Sequence, residues 1–252
     1  MNLFKLLKLE FTKIRSSFLK YTLILPILIS LGMLIVDLSV RKNVILSEYN
    51  PKITDGFQSL LVENHLSLIW PIILLLSIIC NSVSLFYIDS KNNSLIHILT
   101  TQVSRSKYYM SNLITVLLCT IFSIILEGIL LVILGHIFNL SSNIDVPLVV
   151  RYMWFQIFTS LGIIGVQLLL FSLTRKVTLL ASINVAALCL SILLMQNSTL
   201  NKIIPYLTIS NSLPLSVSPE RIIYSVCASF IIFIITSLIG LITFNSIDIK
   251  GE

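Results

Sequence analysis

Six long apolar runs decide most of what this 252-residue chain can become. They cover about 21–40, 66–88, 113–138, 152–173, 177–195 and 222–244. At about 1.5 Å of rise per residue, each run is long enough as a helix to cross a hydrocarbon core about 30 Å thick. Only Thr174, Arg175 and Lys176 separate the fourth run from the fifth, so that pair must form a tight hairpin. Hydrophobic residues make up 56% of the sequence and charged residues 11%. A soluble domain carries about 25% charged residues, so this balance excludes a soluble globular protein and a disordered chain. An outer-membrane barrel is excluded too, because its strands alternate apolar and polar residues. The expected fold is all-α: one polytopic membrane domain over residues 1–252 with six transmembrane helices.

The basic residues orient these spans. With the N-terminus inside, the cytoplasmic segments hold Lys5, Lys8, Lys13, Arg15, Lys20, Lys91, Arg105, Lys107, Arg175, Lys176 and Lys250, which is eleven of the seventeen. The outer segments hold Arg41, Lys42, Lys52, Arg151, Lys202 and Arg221. Both termini are therefore expected in the cytoplasm. The net charge of +6 reflects this bias and an affinity for anionic lipid rather than nucleic acid. The first span lacks a small-residue cleavage site, so no cleaved signal peptide is expected. Cys80, Cys119, Cys189 and Cys227 all fall within spans, have no metal-ligand spacing and read as packing residues.

Residues 2–20 read as an amphipathic helix lying in the membrane interface. Leu3, Leu7, Phe11, Ile14 and Phe18 form its apolar stripe, and Lys5, Lys8, Thr12, Lys13, Arg15, Ser16 and Lys20 lie opposite. The stretch Asp89 to Asn112 is too polar to span and too patterned for a plain linker. Leu95, Ile98 and Leu99 stand at i, i+3 and i+4, which predicts a short helix with one apolar face. Arg105, Lys107, Tyr108 and Tyr109 then suit the headgroup level as basic and aromatic anchors. A short helix held below the membrane by two spans can dock into another protein and transmit a push.

These stretches carry a resemblance. The chain resembles an ABC-2-type transporter permease of the small six-span kind, and within that family the permease subunits of lantibiotic-immunity transporters. The likeness covers essentially the whole chain in length and span layout. In LEFTKIRSS, Glu10, Lys13 and Arg15 match the family's acidic-then-basic elbow pattern. In the first loop, Asp89, Ser94-Leu95, Ile98-Leu99 and Val103-Ser104-Arg105 match, while Asn93 stands where glycine is usual and Gln102 where proline is usual. Asparagine also enters left-handed conformations, so the turn at Asn93 can survive. Trp154-Phe155, Ser160-Leu161-Gly162, Gln167 and Ile204-Pro205-Tyr206 are similar to the subgroup's fourth span and last outer loop.

The resemblance implies half of a transport unit, paired with a second permease, the same chain or a related one. Two cytoplasmic ABC ATPase subunits would supply the energy. None of the eight glycines is followed by lysine, so the chain has no phosphate-cradling Gly-x-x-x-x-Gly-Lys loop. ATP and Mg are expected in the partner ATPase, with no cofactor bound here, no metal and no catalytic residue; the chain is expected to be a transport subunit and not an enzyme. The residues expected to couple to the ATPase are Asp89, Asn93, Leu95, Ile98, Leu99 and Arg105. The elbow residues are Glu10, Lys13 and Arg15.

Glu127 is the one carboxylate near the middle of a span, where burial costs about 3 kcal/mol on insertion scales. It reads equally as a substrate contact and as a hydrogen-bonded packing group. His136 is nine residues on and points to the opposite face. Gln156, Gln167 and Asn184 read first as interhelical hydrogen-bond partners and second, with Glu127, as a substrate pathway. Ser182 and Ala186 permit close helix packing, and Asp37 is spaced for a surface salt bridge with Arg41. Two outer segments, 41–65 and 196–221, exceed simple turns and offer an acidic and aromatic rim to a cationic amphipathic peptide.

The function expected from all this is the permease subunit of an ATP-driven exporter that expels an antimicrobial peptide, a lantibiotic or bacteriocin, from a bacterial plasma membrane. A Gram-positive host is implied by the resemblance. Two alternatives stand beside it: an exporter of an endogenous amphipathic peptide or lipid-like compound, and a non-transporting peptide-binding scaffold or sensor.

Overall fold

The structure is a computed structural model that describes residues 3–16, 19–48, 55–67, 70–91, 104–141, 144–174, 176–194, 197 and 199–246, with the side chains of 15, 16, 19 and 43–48 outside that description. Every regular element among the described residues is helical. In chain order these are α1 (Leu3–Ser16), α2 (Leu19–Glu48), α3 (Gly56–Val62), a π-helical turn (Glu63–Ser67), α4 (Trp70–Ser90), α5 (Arg105–Ile137), α6 (Val146–Leu173), α7 (Val177–Leu194), α8 (Leu200–Ile203), a 3-10 turn (Thr208–Asn211) and α9 (Pro219–Ser246). Among the described residues six helices are long and apolar enough to cross a membrane: α2 over Lys20–Lys42, then α4, α5, α6, α7 and α9.

The helix ends follow the local chemistry. Asp145 caps α6 by accepting from the Leu148 amide at 3.1 Å, and Pro147 sits in the first turn, where its missing N–H costs nothing. Pro219 and Glu220 open α9 in the same way, with the acid beside the positive end of the helix dipole. Pro71 stands in the first turn of α4, where its missing N–H is tolerated, and that span starts at Trp70 rather than at 66. Arg41 has non-helical backbone angles and bends the end of α2. The predicted Asp37–Arg41 pair is present at 3.3 Å.

α6 is the central helix, packed on α9, α5 and α4. α7 leans mainly on α4 and, like α9, leaves most of its surface outside the chain's own core. Phe86, Tyr108, Tyr109, Phe171 and Phe244 interlock at one end of the bundle, with ring centroids 4.8–6.0 Å apart. That end carries α1, the end of α4, the start of α5 and the end of α9, so both ends of the six-helix array share one face. Lys42 Nζ donates to the Phe138 carbonyl at 2.5 Å and joins the ends of α2 and α5 at the opposite face.

Five expectations are corrected. The face of α1 that packs on the protein is Leu6, Glu10 and Ile14 with half-buried Lys13, while Phe4 and Phe11 stay exposed. Lys13 therefore leaves the polar face on which its spacing put it, because buried acids wait for it inside. Tyr108 and Tyr109 are fully buried rather than anchored at the headgroups. Ser182 and Ala186 are exposed rather than closely packed among the described residues, and of the cysteines only Cys119 is buried. Finally, the first outer segment is not an open rim: α3 and the π turn fold back into the bundle, and Glu63, Asn64 and His65 are buried.

A buried ion knot and a re-entrant plug

The knot lies where α1 meets the ends of α4 and α5. Lys13 Nζ donates to Glu10 Oε1 at 2.7 Å and to Asp89 Oδ1 at 2.6 Å. The Tyr108 hydroxyl donates to the other Asp89 oxygen, and the Lys13 ammonium stands 5.8 Å from the Tyr108 ring centre. Asp89 and Glu10 are 0% and 1% exposed, so neither charge is shared with water. One ammonium thus serves two carboxylates, one on its own helix and one 76 residues away. Burial raises the Glu10 carboxyl above its ordinary value, and Lys13 offsets this only in part. Burial would lower the Lys13 ammonium, but Asp89 and Glu10 outweigh it and raise it. The signs differ in consequence. Lys13 contributes stability below its ordinary value and loses it only as pH rises through the raised one. The Glu10 charge is a cost near neutrality, relieved as pH falls through its raised value.

Arg105, at the start of α5, donates to the Asn245 carbonyl in the last turn of α9 at 2.9 Å, where a cation complements the helix dipole. Ser106 and the Asn245 side chain add a second tie at 3.1 Å. Both flanks of segment 92–103 are therefore fastened: Asp89 to α1, and Arg105 to α9. The predicted coupling residues Asn93, Leu95, Ile98 and Leu99 lie outside the described residues, as does the Arg15 side chain.

At the opposite end the re-entrant plug is held by polar groups. Asn64 Nδ2 donates to Glu127 Oε1 at 2.6 Å, and Ser30 donates to Asn64 Oδ1 at 3.2 Å. Glu127 sits ten residues, or roughly 15 Å, inside the Ile137 end of α5, and Ser30 lies deeper still from the Glu48 end of α2, so the plug reaches well into the bundle. Irregular backbone is tolerated at that depth only where protein surrounds it. His65 bridges two further elements: its Nδ1 lies 2.9 Å from the Tyr152 hydroxyl and its Nε2 lies 3.0 Å from the Ser210 carbonyl. The segment around Ser210 is itself fixed to the core. Thr208 and Ser229 both donate to the Thr159 carbonyl, at 2.9 and 3.0 Å, and Asn211 reaches Asn201 and Ser225.

The four residues of the expected substrate pathway are all buried and all engaged within the chain. Glu127 holds Asn64 with one oxygen and has no partner on the other. Gln156 accepts from the Trp70 indole at 3.3 Å. Gln167 donates to Asn184 at 2.6 Å, and the Tyr206 hydroxyl closes that group by donating to Asn184 at 3.0 Å. Glu127 and Gln156 flank Tyr152, whereas Gln167 and Asn184 form a separate tie between α6 and α7. Because α7 makes few other contacts with α6, Asn184→Ala should lower stability by about 1 kcal/mol, measured as a loss of thermal stability in detergent.

Sequence reasoning missed Asn64, His65 and Asn245, and it placed Tyr108 at the headgroups rather than on Asp89. The signal for the plug was present: Glu63-Asn64-His65 is a polar triplet flanked by Leu60-Leu61-Val62 and Leu66, a pattern of polar groups carried into an apolar setting. Among the described residues no three His, Cys, Asp or Glu side chains gather as a metal site would require.

Comparison with known families gives a match over residues 46–245 to the family described as multidrug efflux system permease Rv1217c, C-terminal domain. Neither the curated proteins nor the solved structures give a match.

Proposed function

The chain belongs to the family of the Rv1217c multidrug efflux permease C-terminal domain and is a multi-pass permease of an efflux transporter; from that premise we propose that it is the membrane half of an ATP-driven exporter whose ATPase is a separate subunit. Its cargo is an amphipathic antibacterial compound dissolved in the membrane, and in the narrower form of the proposal a cationic antimicrobial peptide. A second permease, identical or related, completes the unit, and ATP with Mg binds only to the ATPase. The knot faces the cytoplasm, and the plug faces outward.

The observation that carries this reading is the fastening of both flanks of segment 92–103. A push on a free loop dissipates in the loop. A push on a segment tied through Asp89 to α1 and through Arg105 to α9 moves two helices that lie far apart in sequence. α9 is packed along the central helix α6, and α6 carries Tyr152, the partner of the plug's His65. The route from nucleotide to outer plug is then a chain of packed elements rather than an inferred distance effect.

The test is a pull-down of the tagged full-length chain in mild detergent, followed by an ATPase assay on what is captured. The wild type should bring down an ATPase, and Leu95→Asp/Leu99→Asp should lose it while remaining folded and inserted. A well-folded chain that never captures an ATPase would sink the proposal. Cargo is separated by susceptibility: cells producing the complex should gain resistance to a cationic amphipathic peptide. Resistance confined to small amphipathic drugs would discard the peptide form and leave the broader one.

A further inference from the structure

We propose that His65 is an acid-sensitive latch on the re-entrant plug, and that protonating it releases the plug from the bundle. This goes beyond the transport reading and holds for whichever cargo the permease carries. The geometry sets the chemistry. A backbone carbonyl only accepts, so His65 Nε2 must carry the proton that it gives to Ser210. Nδ1 is then the acceptor, and the Tyr152 hydroxyl donates to it. The closed plug therefore specifies one neutral tautomer. It does so at a side chain that joins the π turn, the central helix α6 and the 3-10 turn.

Protonation does not merely rearrange these bonds. It places a cation at a ring that is 2% exposed. The charged and titratable groups on the elements packed around it are Glu63 on its own turn, Asp37 and Arg41 on α2, Glu127 on α5, Tyr152 on α6, Tyr206 and Lys202 beside the 3-10 turn, and Arg221 on α9. The acids are already engaged: Glu127 with Asn64, and Asp37 with both Arg41 and Glu63. Burial accordingly lowers the His65 ring to about 4 from 6.5, with the Ser210 carbonyl pulling weakly the other way. An opened plug returns the ring to water and to its ordinary value.

The linkage has a definite sign. The closed form binds its proton more weakly than the open form does. Its advantage is complete above the open-form value and shrinks as pH falls from there towards about 4. The closed-to-open ratio should fall about 30-fold by pH 5, and about 300-fold at the acid limit.

Hydrogen exchange on the full-length chain in lipid nanodiscs reads that ratio directly. The amides of Ser59 and Glu63 are hydrogen-bonded within the plug, to the carbonyls of Asp55 and of Leu60 and Ser59, and their protection is taken relative to an unstructured chain at the same pH. Between pH 7.5 and 5 the wild type should lose about 30-fold in protection on these amides, while amides in the middle of α6 stay unchanged. His65→Gln keeps a hydrogen-bonding side chain that does not titrate, so its protection should be independent of pH. Glu127→Gln keeps His65 and must keep the fall. A wild type with pH-independent protection, a fall that survives in His65→Gln, or a fall abolished by Glu127→Gln would each overturn the latch.

Discussion

Replacing Lys13 with methionine should uncouple the transporter while leaving it in the membrane. The substitution keeps the length and the apolar stem but removes the one ammonium that Glu10 and Asp89 share. Both acids are buried, so neither recovers its lost partner from water. Removing one member of a buried pair costs about 3–5 kcal/mol. The Lys13 side chain is itself 22% exposed, which screens part of the attraction and favours the lower end, about 3 kcal/mol. The six spans insert on hydrophobicity alone, so the loss falls on the docking of α1 and on the flank of segment 92–103. The captured complex should keep basal ATPase activity and lose its stimulation by cargo. Lys13→Arg should retain most of both. A double-mutant cycle with Asp89→Asn isolates the pair: the second change should recover part of the first loss, because it removes the stranded charge. Unchanged melting and unchanged stimulation in Lys13→Met would show that the knot transmits nothing.

How much of this was legible depends on where the defining partner lies. The six spans could be read because apolar length is a local property, and only their limits moved: α5 begins at Arg105 rather than at 113, and α4 at Trp70 rather than at 66. Glu10, Lys13, Asp89 and Arg105 were picked out by pattern, but nothing local says that Lys13 turns inward to Asp89, 76 residues away. Its helical position argued for the water-facing side. The re-entrant plug was illegible for the same reason. A segment bearing Glu63, Asn64 and His65 has the composition of a loop, and it becomes interior only because Ser30, Glu127, Tyr152 and Ser210 satisfy it. Burial of a polar group is a property of its partners, and here those partners are 34 to 145 residues distant.

The glycines divide in a way that spacing alone does not reveal, and the division yields the second large effect. Gly162 and Gly165 lie on the face of α6 that meets α9. A Cβ on Gly162 would stand 3.2 Å from the Ser229 Cα. One on Gly165 would stand 3.0 Å from the Phe233 Cα, and closer still to the Thr236 hydroxyl. These neighbours are mostly backbone, which cannot swing aside as a side chain would. Overpacking a tight interface costs about 1–3 kcal/mol. Gly165→Val, with two methyls beyond the Cβ, should reach or exceed about 3 kcal/mol. The wedge also acts at both ends of α9, because Asn245 holds Arg105 and Ser229 bonds Thr208 beside the plug. Gly165→Val should therefore lose captured ATPase and plug protection together, whereas Lys13→Met should spare the plug. Gly32 provides the contrast, since a Cβ there meets nothing within 4 Å, and Gly32→Ala should stay within about 0.5 kcal/mol of wild type. Thr236→Ala removes the side-chain part of the clash but not the Phe233 backbone, so it should rescue Gly165→Ala more fully than Gly165→Val. Wild-type melting and capture in Gly165→Val would mean that α6 and α9 are not held at this crossing.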